Sequence, residues 1–152
     1  MSISPHVARL RSLVGTELLQ LPSVAVLPVN PSGKVLLVRH ADTGLWGVLG
    51  GALELDEAPE DAAIRETREE IGVCPTITRL VGAFSGPEYR VEYSNGDQVS
   101  YVVITYEAQL GSADLVPDGE EVVASSWFSP AAIPRDELNG LASALLRDAG
   151  YG

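Results

Sequence analysis

Three glutamates stand close together near the middle of the chain and could bind a divalent cation. Glu66, Glu69 and Glu70 lie in a segment, residues 59–71, that the sequence predicts to be a helix. On a helix, residues at i, i+3 and i+4 point to the same side, so the three carboxylates share one face. Hard cations such as Mg²⁺ prefer oxygen ligands, and a few carboxylates on one face suit them.

The same glutamates break local rules of helix stability. Like charges at this spacing destabilise a helix by roughly 0.2–0.5 kcal/mol per pair. Glu69 and Glu70 also lie in the last turn, where the helix dipole disfavours negative charge. Residues that break local rules often mark a functional site, and a bound cation would remove the conflict. A solvated acidic face is the alternative explanation for a pattern of glutamates alone.

The spacing of the residues around these glutamates resembles the Nudix box of the Nudix (MutT-like) hydrolases. The positions that agree are Gly51, Glu57, Arg65, Glu66, Glu69, Glu70, Gly72 and Val73. The preceding residues 35–39 and 46–51 are also similar to the strand and loop before the box. Three positions depart from the family pattern: Leu49 stands in place of proline, Asp56 in place of glycine, and Thr67 in place of an aliphatic residue.

The resemblance implies an α/β fold, a Nudix-type α/β/α sandwich with a mixed β-sheet. We expect residues 1–152 to form one such domain, with residues 1–20 as an N-terminal helical extension. The sequence predicts helices at 6–13, 59–71 and 137–148, and strands at 23–29, 35–39, 80–85, 90–93, 99–110 and 122–128. Residues 42–51 are predicted to be a glycine-rich loop, and Asn95-Gly96 predicts a β-hairpin.

The resemblance also implies which residues hold the metal. In the family, the helix glutamates bind metal ions and activate water, which points here to Glu66, Glu69 and Glu70. The backbone carbonyl of Gly50 is expected as a further ligand, and Glu54 as an outer contact. The expected ion is Mg²⁺, with Mn²⁺ as the alternative.

Two further roles concern the arrangement of the glutamates and the proton of the attacking water. Arg65 is expected to pair with Glu57 and to orient the cluster; the alternative is a surface ion pair, which would contribute little. The general base is left open between Glu66 and a carboxylate of a later loop, Glu120 or Glu121. Glu121 lies six residues before a tryptophan, as an acidic residue often does in this family.

Several other side chains are candidates for substrate contacts. Arg39 and His40 end a predicted strand beside the glycine-rich loop, where they could contact phosphate. Phe84, Tyr89 and Tyr93 could flank a nucleobase, although nothing in the sequence selects among them.

Three conspicuous residues are given structural rather than functional roles. Trp46 and Trp127 are expected to be packing anchors. Cys74 is expected to be a small buried residue that follows the helix.

The function implied by the resemblance is Mg²⁺-dependent hydrolysis of a nucleoside diphosphate that is linked to another group. ADP-ribose, a nucleotide sugar, a dinucleoside polyphosphate and a nucleoside triphosphate all fit. A non-catalytic Nudix-fold module that binds or senses a nucleotide is the alternative, although such a module would not need all three helix glutamates. A metal-using isomerase on the same scaffold is a third hypothesis, which no added cysteine–glutamate pair supports. We also expect a homodimer.

Composition and charge exclude several classes of function. The net charge is −11 and Lys34 is the only lysine, so the chain lacks the basic patch that duplex nucleic-acid binding requires. No run of about 20 apolar residues is present to span a membrane, and the N-terminus does not resemble a signal peptide. With one cysteine among 152 residues, a cytoplasmic protein is expected.

Overall fold

The computed structural model describes residues 4–152, so the first three residues of the expected N-terminal extension lie outside it. The helices are α1 (Pro5–Val14), α2 (Pro59–Ile71) and α3 (Gly140–Leu146). The strands are β1 (Leu19–Pro28), β2 (Val35–His40), β3 (Trp46–Gly47), β4 (Leu49–Ala52), β5 (Thr76–Phe84), β6 (Arg90–Glu92), β7 (Gln98–Gln109) and β8 (Val122–Phe128). Short 3₁₀ turns and a final π-helical turn, Arg147–Tyr151, follow or link these elements.

The strands form two β-sheets. The larger has the order β4-β1-β7-β5, with β6 also paired to β7. In it, β1 and β7 run parallel, while the other pairs are antiparallel. The second sheet is antiparallel and has the order β3-β2-β8. The expected mixed sheet is therefore confirmed, but it is accompanied by a smaller antiparallel sheet that the sequence did not predict.

Alternate residues of β1 and β2 face two separate hydrophobic cores. One core combines the strand residues Ala25, Leu27, Val35 and Leu37 with Ala142, Leu145 and Leu146 of α3. The other combines Val24, Val26, Leu36 and Val38 with Ala62, Ala63 and Ile71 of α2. Because successive residues of a strand point to opposite faces, the strands are covered by α2 on one side and α3 on the other. This is the expected α/β/α arrangement.

Helix α2 has the predicted bounds, and local residues explain both ends. Pro59 fits the first turn because its missing N–H would have no partner in the helix there. Gly72 ends the helix in the left-handed region, with φ 72°, and its N–H donates to the Arg68 carbonyl. Ala62 and Ala63 are fully buried, so the helix packs closely on the sheet beneath it.

Several predicted boundaries were wrong, and β-pairing accounts for most of the differences. Strand β1 begins at Leu19 rather than at residue 23 because it pairs with β7 from Val99 onward. Strand β5 begins at Thr76 rather than at residue 80, since Thr76 pairs with Gln109. The predicted loop 42–51 contains β3 and β4, whose partners are β2 and β1.

The C-terminal helix also differs from its prediction at 137–148. It begins only at Gly140, because Asn139 is the N-cap and accepts a hydrogen bond from the Ala142 N–H at 2.8 Å. Residues 135–137 form a 3₁₀ turn instead.

The predicted N-terminal helix is confirmed as α1, and one arginine ties it to the β6–β7 hairpin. The Arg11 guanidinium donates to the Gln98 carbonyl at 2.8 Å and lies 3.5 Å from the Asp97 carboxylate. It also donates to the carbonyls of Gly15 and Glu17, just after the helix. Polar contacts therefore hold this helix to the body of the protein.

Among residues 4–152, no helix has both the length and the apolar character needed to cross a membrane.

Candidate functional site

The three helix glutamates share one face of α2 but differ in burial. Glu70 is 2% exposed and Glu66 is 8% exposed, whereas more than half of the Glu69 side chain is accessible to solvent. Two buried carboxylates at i and i+4 are unusual, because acidic residues are almost never fully buried unless they are paired. The predicted site is therefore built around Glu66 and Glu70, with Glu69 at its solvent edge.

Strand β4 brings two glycines against these carboxylates. The Gly50 N–H donates to Oε2 of Glu70 at 3.1 Å. Gly50 has φ 152°, and a Cβ there would collide with the Val24 carbonyl oxygen. A Cβ on Gly51 would collide with the Glu66 carboxylate. Position 50 therefore requires glycine, because a Cβ would meet fixed backbone, whereas a Cβ at Gly51 would fit only if the Glu66 carboxylate moved.

Arg65 is clamped between the loop before α2 and the helix itself. Its guanidinium makes a two-pronged ion pair with Glu57 at 2.8 and 2.9 Å and donates to the Ala52 carbonyl at 3.2 Å. The same group donates to Oε1 of Glu66 at 3.0 Å and lies 3.4 Å from Glu69. The structure thus shows the expected Arg65–Glu57 pair, and Arg65 fixes one oxygen of Glu66.

The segment that follows β7 contacts the C-terminal end of α2 through its backbone. The N–H of Val116 donates to the Ile71 carbonyl, and that of Asp118 donates to the Glu70 carbonyl. These bonds satisfy two of the carbonyls that the end of any helix leaves without intrahelical partners. They also place residues 118–121 beside the carboxylates of α2.

Glu121 is the later-loop acid that the structure brings near the helix glutamates. Its negative charge contributes to the raised pKa values of Glu66 and Glu70. The same charge opposes the lowering of the pKa of His40. Glu121 is half-buried, whereas Glu120 is exposed to solvent. Of the two loop acids, the structure therefore favours Glu121 as a member of the site.

Burial and repulsion disfavour the ionised forms of the two central glutamates. Burial raises the pKa of Glu66 to about 7; Arg65 opposes this rise, and the charges of Glu69 and Glu121 add to it. Burial also raises the pKa of Glu70 well above its ordinary value, with a further contribution from Glu66 and opposition from the Gly50 N–H. A cation placed between these carboxylates would reverse both effects.

Arg39 and His40 lie on the neighbouring sheet. The Arg39 guanidinium lies over the Trp46 ring, 5.0 Å from its centroid, and its buried Nε has no hydrogen-bond partner among the described residues. His40 is half-buried beside Gly47 and Asn139. Burial lowers the pKa of His40, although Asp42 and Glu121 oppose this. His40 is therefore near the carboxylate cluster, whereas Arg39 is engaged with an aromatic ring.

The three departures from the family pattern have structural explanations. Asp56 has φ 61°, a left-handed conformation that glycine adopts freely and aspartate tolerates better than most residues. Leu49 is fully buried in the core beneath α2 and pairs with Val26 of β1. Thr67 is also buried, and its hydroxyl donates to the Ala63 carbonyl at 2.8 Å, so the polar group is satisfied inside the helix.

The aromatic candidates for base binding are occupied by contacts within the protein. Tyr89 is 2% exposed and donates its hydroxyl to Asp148 at 2.7 Å, so it cannot flank a nucleobase without moving. The hydroxyls of Tyr93 and Tyr101 lie 2.6 Å apart in one hydrogen bond. Phe84 packs against the α3 core.

The two tryptophans pack in the core as expected, but the expectation for cysteine was wrong. Trp46 packs edge-on against Phe128 at 5.2 Å, and Trp127 packs against the core beneath α2. Cys74 is exposed rather than buried, because the chain alternates between core and solvent after Gly72 and the neighbouring Val73 takes the buried position.

The donor set suits a hard divalent cation, although it is not arranged as a finished metal site. Among residues 4–152, no group of three His, Cys, Asp or Glu side chains converges as ligands. Glu69 instead extends toward Arg65, and Glu54, the expected outer contact, is half-buried, with its backbone N–H bonded to Glu57.

Comparison with known proteins agrees with the geometry. A NUDIX domain model matches residues 19–148, and the chain belongs to this family. A MutT-like protein of Streptomyces ambofaciens is 44% identical over 108 residues, which are 71% of this chain and 63% of that protein. An NAD-capped RNA hydrolase, NudC, of Pseudomonas aeruginosa strain LESB58 is 30% identical over 115 residues, 74% of this chain and 37% of that protein.

Solved structures show the same fold. The MutT protein of Methanosarcina mazei Go1 superposes with a TM-score of 0.70 at 22% identity, covering 88% of this chain and 94% of that one. The chain spans less than two thirds of the length of the curated relatives described above.

Proposed function

We propose that this protein is a Mg²⁺-dependent hydrolase of phosphoric anhydride bonds, acting on a nucleoside diphosphate linked to another group. The observation that carries the proposal is the buried pair Glu66 and Glu70, held against the glycines of β4 and close to Glu121. Their burial and mutual repulsion destabilise the protein without a cation. Such an arrangement is expected where a bound cation and its substrate supply the compensation.

The residues present fit a divalent metal ion. Glu66, Glu69 and Glu70 offer carboxylate oxygens on one helical face, and the Gly50 peptide lies beside Glu70. Such hard oxygen ligands suit Mg²⁺ or Mn²⁺, and we propose the Gly50 carbonyl as a further ligand. A bound cation would neutralise charge on the pyrophosphate and make the attacking water more acidic.

The chain's own residues then complete the reaction. We assign the role of general base to Glu121. Its carboxylate would take a proton from the water molecule while the oxygen of that water attacks phosphorus. The bond between phosphorus and the bridging oxygen breaks, and two phosphorylated products leave. Arg65 keeps Glu66 oriented through its bond to Oε1 and its two-pronged pair with Glu57. His40 would donate a hydrogen bond to phosphate, and Arg39 would do so only after leaving Trp46.

The net charge of the chain bears on the kind of substrate that we propose. A net charge of −11 disfavours duplex nucleic acid, so the proposed substrate is a small nucleotide derivative whose phosphates reach the site with cations.

A cytoplasmic location fits the single, exposed cysteine. A homodimer is a further proposal, which light scattering would test by giving a mass twice that of the chain.

The test is a panel of substrates with Mg²⁺. Purified protein is incubated with ADP-ribose, a nucleotide sugar, a dinucleoside polyphosphate and a nucleoside triphosphate, and the products are separated by chromatography. We expect cleavage at a phosphoric anhydride bond in at least one compound. For that substrate, Glu70→Gln should lower kcat by at least about 100-fold, comparable to the loss of a key electrostatic stabiliser.

A matched control separates a specific effect from a change in surface charge. Glu60→Gln removes the same charge from an exposed position in the first turn of α2, and its kcat should stay near that of the parent. Full activity of Glu70→Gln would refute the proposed mechanism. Binding of a nucleotide without hydrolysis of any compound would instead identify a binding module.

A further inference from the structure

Asp118 stands between the helix glutamates and Glu121, and its contacts run in both directions. Its backbone N–H donates to the carbonyl of Glu70 at 3.0 Å. Its side-chain Oδ1 accepts hydrogen bonds from the N–H groups of Glu120, Glu121 and Val122, at 3.1, 3.1 and 2.9 Å. One residue therefore links the end of α2 to the backbone on which Glu121 is carried.

This arrangement leaves the Glu121 backbone little freedom. The N–H of Glu121 is bonded to Asp118, and its carbonyl accepts the N–H of Ala41 at 2.9 Å. The turn is closed by a bond from the Gly119 N–H to the Val122 carbonyl, with Gly119 at φ 80°. In these contacts the Asp118 carboxylate is a side-chain acceptor, so substitution can remove it.

Two interactions disfavour a negative charge on Asp118, whereas its three backbone N–H donors favour one. The C-terminal end of a helix carries partial negative charge, which disfavours a nearby carboxylate. Asp118 is also close enough to Glu70 for their like charges to repel. Asparagine could accept hydrogen bonds through the same oxygen without that cost. The three backbone N–H groups therefore need an oxygen acceptor at position 118, and asparagine would supply one without the charge.

We propose that Asp118 is a positioning residue that holds the Glu121 carboxylate at the face of Glu66 and Glu70. This inference rests on the proposed function, because it assigns a task to Glu121 in that reaction. Asp118 acts by accepting three backbone N–H groups and not by contact with the substrate. Mutation of the groups that orient metal ligands typically costs 10–100-fold in activity, and we expect a loss of the same order for a residue that orients the general base.

The first test compares Asp118→Ala with Asp118→Asn. Alanine removes the acceptor, and we expect kcat to fall by roughly 10–100-fold with little change in KM. Asparagine keeps the acceptor, and its kcat should stay within about threefold of the parent. Equal losses in the two variants would overturn the inference, because the charge rather than the hydrogen bonds would then matter.

The second test asks whether Asp118 acts through Glu121. In a Glu121→Gln background, adding Asp118→Ala should lower kcat by much less than it does in the parent, because interacting residues are not additive. Full additivity of the two losses would contradict the proposal.

The third test does not need a substrate. Hydrogen exchange of the amides of Glu120, Glu121 and Val122 should be faster in Asp118→Ala than in the parent, and near the parent rate in Asp118→Asn. Unchanged exchange in the alanine variant would overturn the inference even in an active enzyme. A parent that hydrolyses nothing would instead refute the proposed function, while exchange would still decide whether Asp118 orders this turn.

Discussion

Replacing Glu66 by glutamine should stabilise the metal-free protein, and the gain should grow with pH. Glu66 is 8% exposed, and its pKa is raised from 4.5 to about 7, chiefly by burial. An acid with a raised pKa in the folded state lowers stability as it ionises. Glutamine keeps the shape and an oxygen that can accept the bond from Arg65, but it never carries the charge.

The size of the effect follows from the two pKa values. Each pKa unit corresponds to 1.36 kcal/mol, so a change from 4.5 to about 7 corresponds to about 3 kcal/mol at most. Below about pH 4.5 the two proteins should have the same free energy of unfolding. Between about pH 4.5 and 7 the glutamine variant should become increasingly more stable than the parent, and above about pH 7 the difference should stay constant. For a domain of this size, that advantage corresponds to a melting temperature higher by roughly 6–12 °C.

The assay is urea and thermal unfolding in the presence of EDTA, from pH 5 to pH 8.5. Glu60→Gln is the control, because it removes the same charge from an exposed position in the first turn of α2, away from Glu66, so its effect on stability should not change between pH 5 and pH 8.5. A Glu66→Gln variant that is less stable than the parent at pH 8, or whose advantage does not change with pH, would refute the argument from burial.

Three further predictions concern Gly51, Asp56 and Tyr89. Gly51→Ala should lower kcat by roughly 10–100-fold, measured on the best substrate of the panel, because its Cβ would displace the Glu66 carboxylate. Asp56→Gly should raise the free energy of unfolding in urea by up to about 1 kcal/mol, since glycine adopts φ 61° without strain; a loss of stability would contradict this. Tyr89→Phe should lower the melting temperature by a few degrees at pH 7, since it removes the hydroxyl's bond to Asp148. That bond lowers the pKa of Asp148. The difference in melting temperature between Tyr89→Phe and the parent should therefore shrink as acid protonates the Asp148 carboxylate. A difference in melting temperature that does not change with pH would contradict this prediction.

The sequence predicted α2 and its acidic face well because local signals agree there. Pro59 and Gly72 set both ends of the helix, and the spacing of Glu66 and Glu70 fixes their common face. The pairing of Arg65 with Glu57 was also predicted, and the structure confirms it.

The features that the sequence did not predict depend on contacts between distant parts of the chain. The burial of Glu70 depends on β4 packing against α2, and no local pattern reports that contact. Strand β4 itself was predicted as loop, because its glycines are typical of loops and do not indicate the pairing with β1. Asp118 was also missed, although Pro117-Asp118-Gly119 is a turn sequence in which an aspartate commonly bonds to the backbone that follows.

A Mg²⁺ titration of unfolding tests most directly whether Glu66, Glu69 and Glu70 bind a divalent cation. A ligand that binds only the folded state stabilises it by about 2.7 kcal/mol at 100 times its Kd. The parent should therefore gain stability with increasing Mg²⁺, Glu60→Gln should gain as much, and Glu70→Gln should gain clearly less. Equal gains in the parent and Glu70→Gln across the titration would contradict the claim that Glu70 is a metal ligand.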